Sequence, residues 1–359
     1  MEINRSTNLR KKRRKRRILY TIIFVFLIGY TVFWKALNDV NRTSNNIFNS
    51  LNTNNKRESQ VVIEATQPIS FAFLGVDNGS YDRMDVVGRT DAILIGTVNP
   101  NTRTTTLASI PRDTYALMVG YEPYEGMPYY DKMTHAYAFG DAEMAINSVQ
   151  EHLNIPIDYY VEVNMQGLMD IVDALGGIEV TSPLTFNYQS NYFTEGETRV
   201  ITGKEALAFS RMRKTDPEGD FGRQKREKLV IKAILDKALS LGTIANYESI
   251  LETLEDNVKT NLTINDMTDM YFSYGKSMAN FETKNLVGEE LWQNDIYYLY
   301  TYPEDRLALS NELRAELELP EITLDDLELS DVDYYNNYYT PEDTEVYYEE
   351  EYYDEYSEY

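Results

Sequence analysis

The sequence predicts an α/β protein: a central, mostly β-sheet core flanked by helices on both sides, preceded by one N-terminal transmembrane helix. Three observations carry this. Apolar runs rich in branched and aromatic residues alternate along the chain with stretches of helical spacing. A charge-free run, Ile18 to Trp34, stands directly behind a block of arginines and lysines. Across 359 residues, 43% hydrophobic and 26% charged, the composition is that of a folded protein with room for one large domain and appendages.

Composition also excludes function classes. There is no cysteine, so no disulfide framework, zinc–thiolate site, iron–sulfur cluster or cysteine nucleophile. Two histidines cannot make a His-rich metal site. A net charge of −24 opposes bulk affinity for nucleic acid, although it leaves room for a local basic pocket.

That charge is unevenly placed. Residues 1–17 carry nine basic side chains against Glu2 alone, whereas 321–359 carry fifteen acids and no base. The apolar run, extended past Lys35 to Leu37, reaches about 20 residues, or roughly 30 Å of helix, one bilayer core. Tyr20 and Trp34 sit at interfacial positions, and the basic block Arg10–Arg17 keeps the N-terminus cytoplasmic with everything after residue 37 outside. A cleaved signal peptide is the weaker reading, because the run is long for an h-region and no small-x-small site follows it. DNA binding by the basic block is weaker still, since seventeen residues cannot fold a reader. The expected organisation is a cytoplasmic segment (1–17), a signal-anchor helix (18–37), an Asn-rich stalk (38–67), an extracellular domain with a helical extension (68–305) and an acidic, Tyr-rich, mostly disordered tail (306–359).

Within the domain, ISFAFLGVD (69–77) reads as a strand, and AILIGTVN (92–99) and TTTLASIP (104–111) as two more joined through NPNTR. Residues 134–153 are a helix with Ala138, Ala142, Ala145, Ile146, Val149 and Leu153 on one face. DYYVEVNM (158–165) is a strand, MQGLMDIVDALGG (165–177) a helix stopped by two glycines, and IEVTSP (178–183) a returning strand. Thr202 and Glu205 make a capping box for a helix through Met212. Asp220 starts a longer helix with Val230, Ile231, Ile234, Leu235 and Ala238 inward. Residues 245–278 read as helical, and IYYLYTY (296–302) as a last strand.

The chemistry lies in arginines set in short motifs at predicted strand ends, turns and helix starts: Gly-Val-Asp77, Arg89-Thr-Asp91, Pro-Arg112-Asp113, Arg211-Met-Arg213 and Gly219-Asp220-Phe-Gly-Arg223-Gln224-Lys-Arg226. A guanidinium fork suits phosphate. Arg223 and Arg226, three apart at a helix start, share a face where the dipole also favours an anion. Arg211 and Arg213, two apart, diverge on a regular helix, so the helix must end there for both to converge. Asp77 and Asp91 are oxygen ligands for a hard cation such as Mg²⁺. Each Arg–Asp pair alone reads as a surface salt bridge; five together read as a pyrophosphate site.

These motifs, FLGVD, RTDAILIGTVNP, LASIPRDTY, DKMTHAYAFG, IPIDYYVEVNMQGLMDIVDALGGIEV, GKEALAFSRMRK and DPEGDFGRQKR, resemble the LytR–CpsA–Psr (LCP) family over roughly residues 68–240. The resemblance implies a phosphotransferase that moves an anionic wall glycopolymer, such as teichoic acid or capsule, from an undecaprenyl-pyrophosphate carrier to peptidoglycan. It implies Arg89, Arg112, Arg211, Arg213, Arg223 and Gln224 on the pyrophosphate and Asp77 and Asp91 on Mg²⁺ (or Mn²⁺). Phosphoryl-transfer chemistry itself asks for charge neutralisation, here by Arg112, and for a base, Asp91 or Asp113. Lys132 and His135 fall in the matching KxxHAY stretch. Apolar residues on both sheet faces and the 166–175 helix are core by default and a prenyl tunnel by resemblance. Two competing functions are a membrane-anchored envelope regulator, which lacks a cytoplasmic reader here, and a polyprenyl-pyrophosphate hydrolase using water as acceptor. His152, with no polar neighbour in sequence, reads as structural.

Overall fold

Alternation organises the first strand. In β1 (Ile69–Asp77), Ala72, Leu74 and Val76 face one side while Ile69, Phe71 and Phe73 face the other. The computed structural model describes residues 88–123, 126–238, 257–275, 277 and 280–333, with most of 47–77. The basic segment, the expected membrane helix and residues 334–359 lie outside these, as do 245–256 of the expected helix. Among the described residues no helix is long and apolar enough to cross a membrane.

β2 (Arg89–Asn99) and β3 (Thr104–Ile110) pair antiparallel. In their turn Asn99 Oδ1 accepts from the Asn101 and Thr102 N–H groups, and Arg103 adopts a left-handed φ of 61°. A short hairpin of β4 (Tyr115–Leu117) and β5 (Tyr130–Lys132) leads into α1 (Met133–Leu153), kinked at Gly140 and Asp141. β6 (Tyr159–Asn164) returns parallel to β1. Asn164 then caps α2 (Met165–Ala174) by accepting from the Gly167 N–H at 2.7 Å. β7 (Ile178–Thr181), β8 (Phe186–Tyr188), β9 (Asn191–Phe193) and β10 (Thr198–Ile201) make two small ribbons. The Thr202–Glu205 capping box opens α3 (Gly203–Arg211) as expected, and α4 (Gly219–Ala238) follows. Then come β11 (Val258–Thr260), α5 (Ile264–Tyr274), β12 (Phe281–Asn285), the hairpin β13 (Glu289–Gln293) and β14 (Ile296–Tyr300), and α6 (Pro303–Glu316).

The central sheet runs β11–β6–β1–β2–β3–β12. One face packs on α1 and α6 through Ala145, Ile146, Val149, Leu309 and Leu313. The other carries α5 through Met270 and Tyr274, and beside it the lobe of α2, α3 and α4. Helices therefore cover both faces, as predicted. α2 and α3 approach so closely that a Cβ on Gly203 would lie 2.1 Å from the Met169 carbonyl oxygen, which is why glycine stands there.

Four expectations change. The helix over 245–278 is interrupted by β11, which pairs with β6 because Val258 and Thr260 complete a sheet edge. The strand at 296–302 belongs to a separate hairpin, and the sheet's far edge is β12, parallel to β3. The described part of the stalk is packed: Ile47 and Val61 are buried, and Arg57 pairs with Asp158 at 2.9 Å. The tail boundary at 306 moves outward. Arg306 is buried in α6 and pairs at 3.0 Å with Asp333, which also accepts from the Tyr300 hydroxyl at 2.5 Å. Apolar positions and a buried charge pair, invisible in an acidic composition, order both segments. His152 is structural as expected: it is buried against Thr301 Oγ1 at 3.0 Å, and burial with the nearby Arg306 holds its pKa well down.

Candidate active site

A cavity of about 360 Å³ lies between the sheet and the α2–α4 lobe. Its walls are apolar: Phe73, Leu94, Val161 and Val163 from the sheet, Leu168 and Ile171 from α2, Leu207 from α3, and Val230, Ile231 and Ile234 from α4. Most of the sheet residues lining it come from the face opposite α1, with Leu74 and Val76 of the α1 face at its border. Asp91, Arg112, Arg211, Arg213, Arg223 and Glu227 also line it.

Local structure brings these charges together. Gly75 pairs with Ala92 but Val76 pairs with Thr90, so Asp91 is the extra residue of a β-bulge. The bulge sets Asp91 and Ala92 on the same cavity wall. From the turn after β3, Arg112 Nη1 donates to Asp91 Oδ1 at 2.7 Å, and its Nε lies 3.6 Å from Asp113. Burial opposes the Arg112 charge, yet Asp91, helped by Asp113 and Asp220, raises its pKa. α3 ends at Arg211, and Met212 is extended (φ −60°, ψ 129°), so Arg211 and Arg213 both reach the cavity, as their spacing required.

α4 supplies a second carboxylate centre. Asp220 accepts from Gln224 Nε2 at 2.9 Å and lies 3.0 Å from Arg223 and 3.5 Å from Arg213. Burial works against its charge, but Arg223, Gln224, Arg213 and Arg112 hold its carboxyl below the usual range. One turn on, Glu227 lies 3.7 Å from Arg223. Burial pushes its carboxyl up to about 8; Arg223 opposes this, and Asp220 and Asp91 add to it. Sequence reasoning named Asp220 only as a helix start and missed Glu227. The signal was its i, i+4 spacing from Arg223.

Other residues are placed elsewhere. Arg226 is fully buried and donates to Asp216 and to the carbonyls of Phe209 and Met212; it fastens the α3–α4 loop and does not line the cavity, because the helix turns it away. Arg89 and Asp77 are cross-strand partners beyond the bulge, and neither lines the cavity. Lys132 Nζ pairs with Asp113 at 2.9 Å, and His135 Nδ1 meets Asp131 at 2.8 Å. The Nε atoms of Arg112 and Arg223 are buried with no hydrogen-bond partner among the described residues. A bound anion would satisfy such donors. No group of three His, Asp or Glu side chains among the described residues could hold a metal ion. The hard oxygens of Asp77 and Asp91 suit a divalent cation only if a bound phosphate supplies further ligands.

The model of the LytR_cpsA_psr family matches residues 35–315. A polyisoprenyl-teichoic acid–peptidoglycan teichoic acid transferase, TagU, from Bacillus licheniformis is 40% identical over 316 residues, which is 86% of this chain and 97% of that protein. A solved structure from Enterococcus faecalis, described as a transcriptional regulator, superposes with a TM-score of 0.67 at 36% identity, covering 77% of this chain and 97% of that one. TagT bound to LIIa-WTA superposes with a TM-score of 0.62 at 29% identity, covering 74% and 96%.

Proposed function

The chain belongs to the LytR–CpsA–Psr family, and from that premise we propose that it transfers an anionic wall glycopolymer from an undecaprenyl-pyrophosphate carrier to peptidoglycan. The observation that carries this is one cavity with two chemistries: hydrocarbon walls, and a cluster of arginines two of whose buried N–H donors have no hydrogen-bond partner among the described residues. A prenyl pyrophosphate has the same two parts. The prenyl chain lies along Phe73, Val163, Ile171 and Ile234, and the diphosphate meets Arg112, Arg211, Arg213 and Arg223. Arg89 and Gln224 support this cluster from its edge and from within α4.

Phosphoryl transfer asks a protein mainly for in-line positioning and charge neutralisation. Arg112, oriented by Asp91, stabilises charge on the departing lipid phosphate. An acceptor hydroxyl attacks the polymer-proximal phosphorus. Asp91 or Asp113, held by Arg112 at 2.7 Å and by Lys132 at 2.9 Å respectively, takes the hydroxyl proton. Asp77 and Asp91 would hold Mg²⁺ or Mn²⁺, which supplies further charge neutralisation when bound. The charge-free run at 18–37, behind its basic block, anchors the chain in the cell membrane under this reading, with the N-terminus inside and the catalytic domain outside.

The test incubates purified protein with a lipid-pyrophosphate-linked polymer, with and without a wall acceptor. A polymer–glycan product that requires acceptor supports transfer. Equal turnover with water alone identifies a hydrolase instead, and no turnover in either tube favours a regulator.

A further inference from the structure

Beside the arginine cluster stands a feature the cavity does not use. Trp292 on β13 is 62% exposed and is the cross-strand partner of Tyr297 on β14, ring centroids 5.5 Å apart and planes at 70°. An indole presents a broad apolar face together with one N–H donor, which suits a contact that is part apolar and part polar.

The hairpin is fastened to the catalytic turn. The Leu299 N–H donates to the Asp113 carbonyl at 2.8 Å, and Thr114 bridges to Leu299. Lys132 Nζ lies 5.6 Å from the Tyr297 ring and 5.8 Å from the Tyr298 ring while pairing with Asp113. Burial, with Asp113 and Glu290 close by, raises the Tyr297 phenol pKa against the pull of Arg213. The aromatic pair is thus joined by contacts, through Lys132 and Asp113, to Arg112.

Charge selects the occupant. Glu290, which alternation puts on the Trp292 face and which acts on the Tyr297 phenol, is exposed, as is Asp295 in the turn of the same hairpin. A polyanionic donor polymer is repelled there, whereas a pyranose chain presents C–H faces to the rings and hydroxyl or amide N–H groups to the carboxylates. We propose that the Trp292–Tyr297 face of the β13–β14 hairpin is the acceptor subsite, holding a glycan strand of the wall so that a sugar hydroxyl reaches Asp113 beside Arg112. This rests on the transfer reading above.

Two readouts separate the two ideas. The first is co-sedimentation of the full chain with purified wall glycan stripped of its anionic polymer, which needs no turnover. The second is the KM for soluble glycan strands and for lipid donor in the transfer reaction. Trp292→Ala is expected to weaken co-sedimentation and raise the glycan KM about tenfold or more, with the donor KM unmoved, and Trp292→Phe to recover part of the loss. Unchanged glycan binding and glycan KM in Trp292→Ala, or a rise confined to the donor KM, overturns the subsite. If the wild type binds glycan through Trp292 but transfers nothing, the subsite stands and the transfer reading fails.

Discussion

Arg112 Nη1 and Asp91 Oδ1 meet at 2.7 Å across 21 residues of sequence, one from the turn after β3 and the other from the bulge in β2. Both side chains are about 30% exposed (29% and 30%), so the pair contributes little to stability, about 0–1 kcal/mol. Its value is geometric: it fixes one guanidinium at the cavity while its Nε keeps no hydrogen bond among the described residues.

Arg112→Ala is therefore expected to keep its thermal midpoint within a few degrees and to lose turnover by about 10²–10³-fold, as for removal of one charge-stabilising donor. Calorimetry beside the transfer assay reads both. Retained turnover would refute the site.

Arg223 and Arg226, three residues apart, separate into function and structure. Arg226→Met leaves Asp216 buried without its cation and should cost about 3–5 kcal/mol in denaturant unfolding. Arg223→Ala should mainly reduce donor binding, measured with a fluorescent prenyl pyrophosphate. The reverse pattern would overturn the assignment.

Glu227 gives the site a pH dependence. Its carboxyl is raised to about 8 in the fold, against about 4.3 in an unfolded chain. Between those values the native state binds the extra proton, so the group's stabilisation is present at low pH and is lost as pH rises through about 8. Wild type should thus lose stability relative to Glu227→Gln between about pH 4 and pH 8. Donor affinity should fall over the upper part of that range as a carboxylate forms beside Arg223, and the Gln variant should stay flat. Parallel profiles would sink this account.

Asp333 tests the outward shift of the domain boundary. Asp333→Ala strands Arg306, whose side chain is 2% exposed, and should destabilise by about 3–5 kcal/mol. Chain ending before residue 328 should do the same. Urea midpoints unchanged from wild type would mean that the segment does not hold α6.

Filling the cavity should separate lipid from phosphate recognition. Ile234→Trp narrows the apolar wall and is expected to weaken a long-chain prenyl pyrophosphate more than tenfold, with inorganic pyrophosphate affinity unchanged. Equal losses for both ligands would argue that the variant damages the arginine cluster.

The sequence by itself determined much of the molecule. Apolar runs around turn residues marked β1, β2 and β3, alternation marked β6, and the Thr202–Glu205 box marked the start of α3, because these signals are local and need no partner. It also located the arginines at turns and helix starts. Tertiary structure decided the rest. Arg226 turned into the α3–α4 loop while Arg223 faced the cavity, a choice made by how α4 rolls on its neighbours. Glu227 became a carboxyl raised in pKa only because the fold sets it in the cavity wall beside Arg223, near Asp220 and Asp91. Residues 306–333 looked like solvated tail until Arg306 and Asp333 found each other across 27 positions. β12, apart from the rest of the sheet in sequence, became its edge because β3 offered unpaired backbone. Each of these depends on contacts between distant segments, which a pattern read along one chain does not encode.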